Sequence, residues 1–233
     1  MNVTQQLHLP IELTREPTLD EYLPGPNAEA VAAVTAMAGG QGEPFLFLFG
    51  AAGTGKTHLL QAACLAAVRQ GRQSTFIPLG GAGLEPCLLD DLERLDLIAV
   101  DDVQAIGGHP AWESALFDLF NRLREHGRRL IAAADAPPDA LAIALPDLRS
   151  RLQWGPRYCL APLGDADCEH LLTESARHRG IRLTHELVRY IMHNYARDPS
   201  SLLALVARVD SLCLREQRQP SIQLVRRAMS EPV

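Results

Sequence analysis

Short apolar runs alternate with amphipathic stretches over residues 28–160, and amphipathic stretches alone fill the remainder. Phe45-Leu-Phe-Leu-Phe49 is apolar at every position, the pattern of a strand covered on both faces. Further strands are expected over 75–79, 95–100, 130–134 and 158–160. The intervening segments 28–37, 57–70, 86–94, 112–126 and 145–152 read as helices. Trp112, Leu116, Leu119 and Leu123 lie along one side of the fourth of these. This rhythm predicts an α/β fold, a five-stranded parallel sheet with helices on both faces. From Asp165 onward the strands stop. Segments 165–179, 184–197, 200–215 and 221–229 all read as helices, a small all-helical subdomain. The expected division is a polar tail at 1–21, an αβ domain at 22–163 and a helical lid at 164–233.

The break after the first strand carries the clearest chemistry. Gly50-Ala-Ala-Gly-Thr-Gly-Lys56-Thr57 matches GxxxxGK[ST] in full, between a strand and a helix. Gly50, Gly53 and Gly55 let the backbone wrap so that successive N–H groups, including that of Thr54, face phosphate oxygens. The helix that follows presents its N-terminus to the same anion. Lys56 supplies a point charge to the β- and γ-phosphates, and Thr57 offers a hydroxyl to Mg2+. The third strand, Leu97-Ile-Ala-Val, ends in Asp101-Asp102. Asp101 is the expected Mg2+ partner, and Asp102 stands where related sites carry a longer Glu to orient water. Asp135 ends the fourth strand, between the two phosphate segments; its alternative is a turn cap before Pro137-Pro138.

Composition narrows the class. The net charge of −6 argues against a protein that coats duplex DNA. Of the 22 basic residues only Lys56 is lysine, so the single ammonium falls in the phosphate loop, where a planar guanidinium is a poor substitute. Five cysteines without a CxxC make a disulfide framework or zinc site unexpected. No segment reaches the ~18 apolar residues of a membrane span, and no signal peptide is evident, so the expected location is cytoplasmic, without membrane contact.

Four stretches resemble the AAA+ ATPases and, within them, the clan of the bacterial replication initiator DnaA and the shorter Hda type. These are Tyr22-Leu-Pro-Gly-Pro-Asn27, GAAGTGKT, LIAVDDVQ and Leu148-Arg-Ser-Arg151-Leu-Gln-Trp154-Gly155. The resemblance implies ADP or ATP with Mg2+ between the αβ domain and the lid. Tyr22, Pro24 and Asn27 would belong to a nucleotide-base loop, with His58 beside it. It also implies that Arg151 is an arginine finger aimed at a neighbour's nucleotide; from the residues alone, Arg149 and Arg151 read equally well as a solvated or salt-bridged pair. One departure stands out: Ser200 occupies the slot where the family usually has an arginine reaching back to the phosphates, and Arg197 lies three positions earlier.

The chain ends directly after the last lid helix, so the initiator's DNA-reading domain is not expected and DNA would be met only indirectly. In the tail, Gln6-Leu7-His8-Leu9-Pro10 resembles a peptide that binds the sliding clamp, with Gln6, Leu7, Leu9 and Pro10 as contacts. Together these imply an Hda-like negative regulator of replication initiation, docked on the clamp and promoting hydrolysis of DnaA-bound ATP, with homo-oligomers open. The alternatives are a self-contained ATPase such as a helicase loader, and a nucleotide-locked adaptor that blocks the initiator sterically.

Overall fold

In the computed structural model, residues 17–230 are described. Five parallel strands, β1 (Phe45–Phe49), β2 (Ser74–Pro78), β3 (Leu97–Asp101), β4 (Arg129–Ala134) and β5 (Arg157–Cys159), form one sheet in the order β2-β3-β4-β1-β5. The order places β4 between the strand that leads into the phosphate loop and the strand that ends in the paired acids.

Alternation along the strands divides the apolar side chains between two layers. Phe45 and Phe47 join Ile98, Val100, Leu130 and Ala132 on the face covered by α3 (Pro110–Glu125) and α4 (Pro146–Leu152). Leu46 and Leu48 join Leu97, Ala99, Ile131 and Ala133 on the face covered by α1 (Ala28–Ala38) and α2 (Lys56–Arg69). Leu116, Leu119 and Leu123 of α3 are buried as their spacing predicts, and Trp112 packs on the rim of that layer.

The lid is α5 (Asp165–His178), α6 (His185–Asn194), α7 (Pro199–Glu216) and α8 (Ile222–Ser230), with a core of its own around Leu172, Ile191, Leu205 and Val225. Thr184 caps α6 and Asp198 caps α7 through their side chains.

Two segments differ from expectation. The helix expected over 86–94 is instead a pair of 3-10 turns, Pro86–Leu89 and Leu92–Arg94, because Asp91 between them adopts a left-handed backbone at φ 58°. Residues at the end of the expected tail belong to the αβ layer: Leu19 packs against the α1–α2 core and the Thr18 carbonyl meets His58. Among the described residues no helix is long and apolar enough to cross a membrane.

Candidate nucleotide site and arginine box

The loop between β1 and α2 has the curvature its glycines predict. Gly53 and Gly55 adopt φ of 79° and 87°, and both have close neighbours where a side chain would stand. A Cβ on Gly55 would lie 2.7 Å from the Tyr22 ring, and one on Gly53 would lie 2.8 Å from Asp198 Cβ of the lid. The phosphate loop is thus clasped from two sides. Lys56 is buried at the loop's end, its Nζ donating to the carbonyls of Gly50 at 2.7 Å and Ala51 at 3.0 Å. Thr54 Oγ1 donates to Ala51 O at 2.9 Å.

Thr57 Oγ1 donates to Asp101 Oδ2 at 2.6 Å. Burial pushes the Asp101 carboxyl above the usual carboxylate range, although Thr57 and the Asp102 N–H both donate to it. A buried carboxylate of this kind is relieved by a cation, and hydroxyl plus carboxylate is a donor set that suits Mg2+. No group of three or more His, Cys, Asp or Glu side chains that could hold a metal occurs among the described residues. The remaining ligands would have to be water and phosphate oxygens.

Beside the loop lies a narrow slot lined by Tyr22, Leu23, His58, Leu163, Leu171, Pro199, Ser200 and Leu203. Apolar walls with a few polar edges suit a heterocyclic base. Tyr22 donates its hydroxyl to Thr54 O at 3.1 Å, and burial holds its phenol above the ordinary value, so it remains a donor. His58 Nε2 lies 3.1 Å from Thr18 O, which puts a proton on that nitrogen. Asn27 does not face the slot. It is buried, and both halves of its amide bond Ala161, Nδ2 to the carbonyl at 2.9 Å and Oδ1 from the N–H at 2.8 Å. Pro24 opens the short turn and accepts the Asn27 N–H; Leu23, not Pro24, lines the slot. Both residues therefore shape the base loop from behind.

The other expected residues divide sharply. Arg197 donates from Nη1 to both Asp165 oxygens at 2.8 Å and from Nε to Met192 O. Ser200 lines the slot. Asp102, at φ 56°, lays its carboxylate over Gly80, with Oδ2 3.2 Å from where a Cβ on Gly80 would stand. Asp135 is exposed. Two residues that sequence reasoning missed organise this region. Gln104 donates Nε2 to Asp102 Oδ1 at 2.8 Å and accepts the Asp135 backbone N–H at 3.2 Å. Glu113 accepts backbone N–H bonds from Gly108 at 2.8 Å, Ala144 at 3.0 Å and Leu145 at 2.7 Å. Burial would raise its carboxyl; the three donors outweigh burial and hold it below the usual range. Glu113 thereby fixes the approach to α4.

Two arginines on α4 have opposite fates. Arg149 donates to Ile143 O and is tied into the scaffold. Arg151 has no carboxylate partner among the described residues. Its guanidinium stacks over Trp154, 4.1 Å from the ring centroid, with Phe117 and Phe120 each at 5.9 Å. Its Nε is buried without an acceptor, and Arg124 lies over the same indole at 4.9 Å.

The family profile described as the bacterial DnaA ATPase domain matches residues 13–79 and 88–158, more than half of the chain. The chain belongs to the DnaA family of AAA+ proteins. A second profile, the Hda lid domain, matches residues 165–229 and so covers the helical lid of this DnaA-family chain. Among solved structures, domain III of Thermotoga maritima DnaA superposes with a TM-score of 0.78 at 21% identity, covering 93% of this chain and 98% of that one. AMPPCP-bound DnaA from Aquifex aeolicus gives 0.72 at 24% identity, covering 83% and 64% respectively. The Thermotoga maritima RuvB branch-migration motor gives 0.68 at 17%, covering 92% and 72%. These likenesses establish the AAA+ fold, and the helical lid is similar to the lid domain of Hda.

Proposed function

We propose that this chain is an Hda-like regulator that binds ADP or ATP with Mg2+ and presents Arg151 to ATP held by DnaA. Lys56 and the loop amides would grip the phosphates, Thr57 and Asp101 would hold the metal, and Tyr22, His58 and the lid leucines would enclose the base. In that arrangement the nucleotide joins αβ domain and lid, and the hydrolytic chemistry takes place in the partner. The observation that carries the reading is the contrast on α4: Arg149 is bonded into the fold, whereas Arg151 rests on an aromatic platform with no counter-charge among the described residues. A guanidinium held this way is oriented without being neutralised. Such a group spreads charge over transferring phosphoryl oxygens and contributes roughly 10³–10⁵ in rate where it acts in trans.

The residues proposed to dock on the sliding clamp, Gln6, Leu7, Leu9 and Pro10, lie outside the described residues. On this reading DNA is engaged through the clamp, and initiation is restrained because DnaA loses its ATP. The test is hydrolysis of DnaA-bound ATP with this protein, clamp and DNA present. Arg151→Ala should retain nucleotide and clamp binding and lose stimulation by roughly a thousandfold. Stimulation unchanged in that variant removes the finger assignment. Leu7→Ala combined with Leu9→Ala should abolish capture on immobilised clamp while thermal unfolding is unaltered; capture that persists refutes the tail reading.

A further inference from the structure

Arg122 and Arg124 lie in the last turn of α3, and Arg128 follows shortly after it. Two of the three are answered by acids: Arg122 meets Glu93 at 3.0 Å and Arg128 meets Asp96 at 2.8 Å. Arg124 is exposed and enters no ion pair among the described residues. Its guanidinium lies over the Trp154 indole, 4.9 Å from the ring centroid, and that of Arg151 lies 4.1 Å from the same centroid. The indole is a fixed platform. It meets the Phe120 ring in a T-shaped contact at 5.8 Å, and Phe120 meets Phe45 of β1 in another at 4.6 Å. Gly155, at φ 73°, brings the backbone after Trp154 so close to β1 that a Cβ there would collide with Phe45 O. Although anchored in this way, Trp154 keeps 38% of its surface in solvent.

Two cations that share one indole repel each other. Stacking orients a guanidinium without neutralising it, and its N–H groups can still grip phosphate oxygens two at a time. A single carboxylate would answer only one of these charges. A terminal phosphate brings up to two charges on three oxygens and answers both. We propose that Arg124 and Arg151 form one clamp with Trp154 as its base, and that the clamp takes the terminal phosphate of a triphosphate held by the partner. Arg124 is the outer member: it captures the triphosphate and contributes affinity. Arg151, set deeper among the rings, contributes to the rate. The clamp also confers selectivity, because a diphosphate lacks the group it grips.

This inference rests on the reading of Arg151 above, and the experiment separates the two. DnaA loaded with AMPPCP or with ADP is captured on immobilised wild-type protein, Arg124→Leu and Arg124→Lys, with clamp and DNA present. Hydrolysis of DnaA-bound ATP is followed over a range of concentrations of each protein. Leucine still covers the indole, so thermal unfolding should be unaltered. Arg124→Leu should weaken capture of AMPPCP-loaded DnaA roughly tenfold and leave capture of ADP-loaded DnaA unchanged. Half-maximal stimulation should need about ten times more protein, with the same maximal rate. Arg124→Lys keeps the charge but loses the fork, and should fall between the two. Equal capture of AMPPCP-loaded DnaA by wild type and Arg124→Leu overturns the clamp. So does equal weakening for both nucleotides, which would assign Arg124 to a carboxylate of the partner or to packing. Wild-type protein that neither captures DnaA nor stimulates its hydrolysis overturns the docking reading itself, and the clamp with it.

Discussion

The tips of β3 and β4 and the far end of α4 handle charge in opposite ways. At the strand tips Asp101 and Asp102 are answered from within the chain. Asp101 takes the Thr57 hydroxyl and the Asp102 N–H, and Asp102 takes the Gln104 amide. At the end of α4, Arg151 is packed against aromatic rings, and among the described residues no acidic group meets it. The first region is closed upon itself and suits holding a ligand. The second holds its cation on aromatic faces instead. A single fold therefore separates the place where nucleotide is kept from the place where charge is offered.

The sharpest way to break this contrast is at the support shared by both regions. Glu113 lies on α3 and anchors the segment entering α4 through three backbone donors. Glu113→Gln should cost about 2–4 kcal/mol of stability, since an amide nitrogen faces donors the carboxylate had satisfied. The pH dependence follows from the lowered carboxyl. Its contribution is complete above the unfolded carboxylate value of about 4.3 and disappears as pH falls through the folded value. Urea unfolding followed from pH 6 downward should show that loss in wild type and not in the variant.

A change confined to the holding region should leave the arginine box intact. Lys56→Ala should weaken ADP and ATP by about 2 kcal/mol, roughly thirtyfold by calorimetry, through loss of a charge-assisted contact. Full affinity in that variant would remove the phosphate-site assignment. The smallest expected effect has the opposite sign. The Asp101 carboxyl is raised, so its contribution to stability is present below the unfolded carboxylate value and lost as pH rises through the folded one. At neutral pH the nucleotide-free protein carries that cost. Asp101→Asn should therefore raise its stability by about 1 kcal/mol, a shift of roughly 2–4 °C, while weakening Mg2+-dependent ATP binding. A melting temperature that falls would show that the carboxylate's hydrogen bonds outweigh its burial.

The αβ rhythm was legible because unbroken apolar runs such as Phe45–Phe49 suit only a strand covered on both sides. The phosphate loop was legible because its chemistry is local: eight consecutive residues contain the glycines, the lysine and the threonine. The arginine box was legible as a resemblance, but the divergence of Arg149 and Arg151 was not. It depends on Trp154, Phe117 and Phe120, which come from α3 and the turn after α4. The bonds that hold Asn27 were not legible, because their partner, Ala161, lies 134 residues away. Glu113 did leave a trace. It sits three and seven residues before Leu116 and Phe120 on the buried stripe of α3, and a carboxylate there needs donors. Gln104 closes the LIAVDDVQ stretch, but nothing in a glutamine two places after an acid shows what its far end will reach.

The paired bonds between Asn27 and Ala161 have a mechanical consequence. They stitch the turn behind Tyr22 to the strand of chain that runs, a few residues later, into the lid. The seat of the tyrosine over the phosphate loop and the entry to the lid are thus held in one register by a single amide side chain.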